Sequence, residues 1–413
     1  MSDARARVDH SSFARYWTAA AISSFGTAVT TVAMPVLVVQ LLHAEPFEVG
    51  IVNAAQFVPY ALVGLIAGVY TDRWRRKPIL VWASLGRALS LGTIPILWVC
   101  GVLQIWMLVI ALLLFGGFSV FGFAATQSLL PRLVPRTRLI TANARLDQTD
   151  AAAQTVGPAL GGGLVGLLGA PIAIVVDSIS YLVDAALNAS IRVEEPKPSP
   201  RNANLGVEIR QGLKSTYRHQ TLGRLAVSTH IWFIANGAAM TAPSILALRT
   251  LGFSAFIYGL LLTVFGVTSF IGASLAPRLG TWLGSGRVII LARAIYPIGW
   301  LLVAVAPPTA AGGVLLFIAL SLQGLAMGTE NSHEQVYWQT LTPDELLGRT
   351  NATRRSVNRT MAAAGALISG LLIGLVGDRL VLLGVIIVFA AAALTAVLSP
   401  LREAPATPGE SAR

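Results

Sequence analysis

Glu330, His333 and Glu334 stand in an otherwise apolar stretch at spacings of three and four, which place them on one face of a helix. A desolvated carboxyl group beside an imidazole titrates near neutrality, so the trio suits uptake and release of a proton. The same residues also suit a structural ion cluster that ties this helix to the next through Arg355 or Arg359, and both readings stay open here. Asp147 and Asp150 are related to Arg354 and Arg355 by a shift close to 208 residues. With Arg359 nearby, they predict either an ion bridge between two parts of the chain or exposed groups at helix ends. Asp177 and Asp184, seven apart on one helix face, are expected to pair with Arg87 at comparable depth. His230, with Trp232, Phe233 and Asn236, either lines a cavity for aromatic compounds or is a satisfied packing residue. Arg293 completes the charges within apolar runs.

Other chemistry is disfavoured. The five His are scattered and Cys100 has no companion, so no metal site is expected. No GxxxxGK[ST] phosphate loop and no nucleophile elbow occur, which argues against an ATP-driven pump and against a hydrolase. No cofactor is expected.

The elements that hold these charges follow from composition. Of 413 residues, 54% are hydrophobic and 12% charged, with a mean hydropathy of +0.69. Soluble domains carry roughly 25% charged residues. Half that density cannot cover a water-soluble surface of this size, so the chain reads as a polytopic membrane protein. The net charge of +11 would suggest nucleic-acid binding in a soluble protein. Here the basic residues sit in short clusters between apolar runs, and no nucleic-acid partner is expected.

A bilayer crossing needs about 20 apolar helical residues. That window predicts an all-α protein with spans at 16–42, 48–71, 78–100, 104–130, 143–168 and 170–191. Six more follow at 222–248, 256–280, 286–306, 312–338, 351–377 and 380–400. Residues 1–15 and 401–413 form polar ends. The first span is too long for a cleaved signal core and is expected to be retained. Residues 192–221 form a Pro- and Ser-rich linker, with an amphipathic helix allowed from Val207 to Tyr217. Lys and Arg gather on one side, at Arg73, Arg75, Arg76, Lys77, Arg132, Arg136 and Arg138 among others, whereas Arg249 and Arg379 fall opposite. By the positive-inside rule both termini are cytoplasmic, which agrees with an even number of spans.

The linker divides the chain into halves, 16–191 and 222–400. A shift of 208 residues superposes Pro135 on Pro343 and Asn143 on Asn351. It also carries Gly157, Gly162, Gly166 and Gly169 onto Gly365, Gly370, Gly374 and Gly377. Two parallel six-helix repeats about an axis along the membrane normal follow, with a path between them.

Three motifs carry a family resemblance. Gly68, Asp72, Arg73, Arg76 and Lys77 resemble the loop signature of the major facilitator superfamily, with Tyr70 and Arg75 departing from its pattern. Independently of family, Asp72 can face the positive N-terminal end of the eleventh span, and Arg73 and Arg76 can complete a cluster that holds one side closed. Gly157, Pro158, Gly161 and Gly162 resemble the GPxxGG element of major-facilitator exporters. Together with Ser23–Gly26 and the stretch from Leu129 to Asn143, they resemble the branch of macrolide-efflux proteins and the enterobactin exporter. The arginine expected inside the fourth span of another drug-exporter branch is absent.

The resemblance implies twelve helices in two pseudo-symmetric bundles, with spans 1, 4, 7 and 10 against a cavity. It thereby makes Phe25, Gln127, His230, Trp232 and Asn236 cavity candidates, and Glu330 the first candidate for proton coupling, with His333 and Glu334 beside it. It implies export of an amphipathic drug, antibiotic or natural product by a cell-membrane protein that works as a monomer on the proton gradient. A siderophore cargo is the nearest alternative. A non-transporting receptor or scaffold is the alternative from another class.

Overall fold

The computed structural model describes residues 10–135, 138–193, 195 and 205–402; within its helices, the side chains of residues 10, 65, 68–73, 127, 140, 205, 208, 242, 344 and 345 lie outside the described set. The N-terminal half comprises α1 (His10–Val36), α2 (Pro46–Ala55), α3 (Val58–Arg73), α4 (Arg76–Val99), α5 (Ile105–Leu133), α6 (Leu139–Leu168) and α7 (Ala170–Ser190). After α8 (Leu205–Arg218) come α9 (Gln220–Ile245), α10 (Ala255–Leu283), α11 (Ser285–Ala304), α12 (Ala310–Leu341), α13 (Asp344–Val376) and α14 (Asp378–Val397). Twelve helical segments of the described residues are long and apolar enough to cross a membrane. The second crossing, expected as one helix, is broken between α2 and α3. Pro59 lies in the first turn of α3, where its missing N–H costs nothing.

The duplication is visible at single residues. Gly169 and Gly377, 208 apart, each end one helix and begin the next, with φ of +84° and +86°. Only glycine takes that conformation without strain, so both turns shrink to one residue. α1 ends in a π turn at Leu37–Leu41, and α9 ends in the matching one at Leu246–Thr250.

Two seams join the halves: α2 and α3 pack on α13, and α10 packs on α6. Under the pseudo-twofold these seams exchange places. Each is pinned by a pair of glycines. A methyl group on Gly50 would stand 2.9 Å from Gly370 Cα, and one on Gly259 would stand 3.1 Å from Gly162 Cα. Gly162 and Gly370 are 208 apart, and Gly50 and Gly259 are 209 apart, as are the starts of their helices at Pro46 and Ala255, so each crossing is the counterpart of the other. Small residues let backbones approach this closely, which is how apolar helices adhere in lipid. Side-chain contacts extend the closure at the face opposite the first and last helix ends. Gln40 Nε2 donates to the carbonyls of Leu248 at 3.3 Å and Phe253 at 3.1 Å, and Arg249 Nη2 donates to that of Ala44 at 2.6 Å.

The linker helix α8 docks on α13 and α9. Ser215 and Thr350 hydroxyls meet at 3.0 Å, and Arg349 donates to Gln211. Tyr217 Oη meets His230 Nε2 at 2.7 Å. The side chain of Glu195 caps α4, accepting from the backbone N–H of Arg76 at 2.5 Å and of Lys77 at 2.8 Å. A carboxylate at a helix N-terminus satisfies free donors and complements the dipole.

Candidate functional site: a four-charge network on a cavity of the C-terminal half

Arg293 of α11 is 1% exposed and spends its donors on two neighbouring helices, α9 and α12. Its Nε donates to Glu330 Oε1 at 2.6 Å, and its Nη2 donates to Glu334 Oε2 at 3.1 Å and Thr229 Oγ1 at 2.7 Å. Its Nη1 donates to Ser228 Oγ. Glu334 is shared: its Oε1 also accepts from Arg354 Nη2 of α13 at 2.8 Å and from Trp338 Nε1 at 3.2 Å. Two carboxylates and two guanidiniums thus form a buried group with no formal net charge. Such a group is tolerable in a low-dielectric interior because each charge has a partner. The exception is Glu330 Oε2, which is buried and has no hydrogen-bond partner.

Glu330 and Glu334 line a cavity of about 220 Å³. Opposite them stand Trp232, Phe233 and Tyr296, with Asn331, Gln335 and Asn358 adding polar edges. The aromatic wall is rigid. Trp232 meets Tyr296 edge to face at 5.4 Å, and Tyr296 stacks on Phe389 at 5.4 Å. Flat apolar compounds pack well against such rings.

The structure brings together only part of what the spacing predicted. His333 does not bond Glu330: its Nδ1 meets Ser285 Oγ at 3.0 Å and its Nε2 meets the Ala276 carbonyl at 3.0 Å. A three-residue step leaves it about 60° around the helix, toward α10 and α11. The ion cluster runs through Arg354, not Arg355 or Arg359. His230 is held by Tyr217 and by Asn358 Oδ1, 2.7 Å from its Nδ1, and packs behind the cavity. Trp232 lies in the wall, whereas Asn236, one turn beyond it, and Phe25 on α1 lie outside it.

Asp147 and Asp150 are exposed on α6, and Asp150 Oδ2 accepts from Gln154 at 2.6 Å. The bridge to Arg354 is not formed here, since that guanidinium is on Glu334. Arg355 and Arg359 lie instead over the rings of Phe123, Tyr60 and Phe57. Arg87 pairs with Asp184 at 3.8 Å and covers the Tyr181 ring at 4.4 Å. Asp177 accepts from Thr30 at 2.5 Å. The side chains of Gly68, Asp72, Arg73 and Gln127 lie outside the described residues. At Arg76 and Lys77 the structure shows the cap on their backbone N–H groups, which does not bear on the roles suggested for their side chains.

The GPxxGG segment has a definite place. A side chain on Gly161 would reach 2.9 Å from Val29 Cα of α1, while the Pro158 carbonyl and Gly162 lie against Gly259 of α10. The segment therefore wedges α6 between a helix of its own half and one of the other half. Arg293 was visible as an intramembrane charge, but its role as hub was not. The signal available was that both nearby acids lay on a different span at matching depth.

A family profile described as a transmembrane secretion effector matches residues 3–412. The chain belongs to this family of the major facilitator superfamily. Relatives of the transporter include an MFS-type transporter of Sinorhizobium fredii, 33% identical over a stretch covering 63% of this chain and 64% of that one. The multidrug efflux pump Tap of Mycolicibacterium fortuitum is 24% identical, with 90% and 93% of the two chains covered. In fold, the transporter resembles the crystal structure of the nucleoside transporter NupG, at a TM-score of 0.75 and 12% identity over 94% and 98% of the chains.

Proposed function

We propose that this transporter exports amphipathic small molecules from the cell by alternating access, in exchange for protons, with both termini in the cytoplasm. The observation that carries the proposal is Glu330. One of its oxygens is held by Arg293, and the other is buried without a partner at the cavity enclosed by α9, α11, α12 and α13. A carboxylate placed so can accept a proton, and protonation would release Arg293 to its remaining partners. Cargo held against α13 and protonation of Glu330 then act on one charge network, which gives a coupling between the two ligands. The wedge of α6 at Gly161 and Gly162 and the likeness to Tap support export as the direction.

Closure at the face bearing Gln40 and Arg249 leaves the opposite, terminus-bearing face as the side of access. With cytoplasmic termini this is the loading conformation of an exporter. Asp147 and Asp150 then meet the arginines of α13 only after the halves have rocked.

The test uses protein in proteoliposomes with an imposed pH gradient and a fluorescent amphipathic dye as cargo. Wild type should drive dye against its gradient and collapse the pH difference. Glu330→Gln should retain downhill exchange and lose both uphill movement and proton flux. Full proton-driven transport by Glu330→Gln would exclude this residue.

A further inference from the structure

Five arginines with described side chains lie deep in the spans: Arg87, Arg293, Arg354, Arg355 and Arg359. The first three each contact a carboxylate, on Asp184, on Glu330 and Glu334, and on Glu334 respectively. Among the described residues, Arg355 and Arg359 contact none. They are one helical turn apart on the same face of α13, near its centre, and both are half-buried. Arg355 Nε is a buried donor with no acceptor.

A guanidinium inside a membrane protein without a counter-charge is costly and marks a path for ligands or ions. What faces these two is a set of rings from the other half. The Arg355 guanidinium carbon lies 3.1 Å from the Phe123 ring centre and 5.8 Å from that of Tyr60. That of Arg359 lies 5.1 Å from Phe57 and 5.9 Å from Tyr60. Ring faces attract cations, but each contact offers only about 0.5–2 kcal/mol, and the Tyr60 hydroxyl beside Arg355 is a neutral acceptor, not a counter-charge. The donors of a guanidinium fit a carboxylate two at a time.

We infer that Arg355 and Arg359, with Phe57, Tyr60 and Phe123, form a binding site for organic anions that carry an aromatic body, and that such anions are the cargo class. The acidic group would take the free donors of Arg355 and Arg359. The aromatic body would replace or extend the ring contacts that now fill the site. Because the arginines belong to one half and the rings to the other, occupation would change the contact between the halves. Arg354 of the four-charge network adjoins Arg355 on α13, so an anion held here would act on that network through the same helix. The inference rests on the proposed export function for the fate of the anion, whereas binding itself is measured without transport.

The probes are 2-naphthoate and its neutral counterpart 2-naphthamide, titrated into detergent-purified full-length protein and followed by tryptophan fluorescence. The wild type should bind the acid at least tenfold more tightly than the amide. Arg355→Gln and Arg359→Gln should each reduce that preference, and the double variant should abolish it. Arg359→Lys should retain most of it, which a mere ring-stacking role would not predict. Thermal melting of each variant in the absence of probe verifies folding, and Cys100→Ser, at an exposed position, serves as a control that should keep the preference. Equal affinity for acid and amide, no binding of either at millimolar concentration, or an undiminished preference in a folded double variant would each overturn the inference. If acid binding is normal while proton-driven transport fails, the export proposal falls and the anion site stands.

Discussion

Arg354 donates to Glu334 at 2.8 Å and covers the Trp338 ring at 3.9 Å, so α13 is fastened to α12 by one residue using both its charge and its plane. Its neighbour Arg355, about 100° further around the helix, points to the other half instead. One helix thereby presents a neutralised arginine to its own bundle and an unneutralised one to the opposite bundle.

Glu334 and Glu330 should behave differently on neutralisation. Glu334→Gln leaves two buried guanidiniums sharing one carboxylate, and breaking such a pair typically costs ~3–5 kcal/mol. Glu330→Gln keeps Glu334 between its two arginines. The detergent melting temperature should fall clearly for Glu334→Gln and little for Glu330→Gln, while transport is lost in both. Equal melting temperatures would contradict the shared position of Glu334.

The glycine crossings predict a matched pair of defects. Gly162→Leu and Gly370→Leu each force a side chain into backbone, and overpacking of this kind costs roughly 1–3 kcal/mol. Each variant should still insert, yet lose transport and expose its seam. Labelling of a cysteine placed at Gln40, in a Cys100→Ser background, should rise several-fold in both. No change in labelling would show that the crossings do not hold that face shut.

Docking of α8 should withstand alkaline conditions. Burial raises the hydroxyl pKa of Tyr217 above its usual value, near 10. A folded-state value above the unfolded one favours the neutral form, so the contact with His230 is fully present below about pH 10 and weakens only as pH climbs past that. The mobility of a nitroxide at Val207 should stay constant from pH 7 to 9 and increase above 10. In Tyr217→Phe the label should be mobile throughout.

Glu195 offers a test of the linker. Its carboxylate occupies the start of α4, and loss of a helix cap typically costs about 0.5–2 kcal/mol. Glu195→Ala should increase proteolytic nicking within 192–204 and leave the rest of the protein folded. Unchanged cleavage would mean that the cap does not restrain the linker.

Much of the architecture was legible because it depends on composition. Twelve apolar windows gave twelve crossings, and the shift that carries Gly169 onto Gly377 gave the repeat. The break at Pro59 was not visible, since a proline in the first turn of a helix leaves hydropathy unchanged. Gly50 and Gly259 are 209 apart, so a uniform shift of 208 does not align them. α13 begins at Asp344 rather than near 351 because its first turns are polar and gain their support from α8. Glu330 and Glu334 were identified by spacing alone, whereas the choice of Arg354 over Arg355 depends on how α13 is rotated about its axis. That rotation is set by packing against distant helices, among them the crossing of Gly370 with Gly50. His333 shows the same limit: proximity along a helix did not decide which neighbour its ring would meet.

The paired glycine crossings also make the molecule a lever. With two glycine crossings set toward one membrane surface, a tilt of each lobe is magnified at the far surface. Over the ~30 Å thickness of the hydrocarbon layer, a tilt of about 10° displaces the distant helix ends by roughly 5 Å. A fulcrum built from residues without side chains can thus turn sub-ångström slippage at one leaflet into an aperture the width of a flat ring at the other.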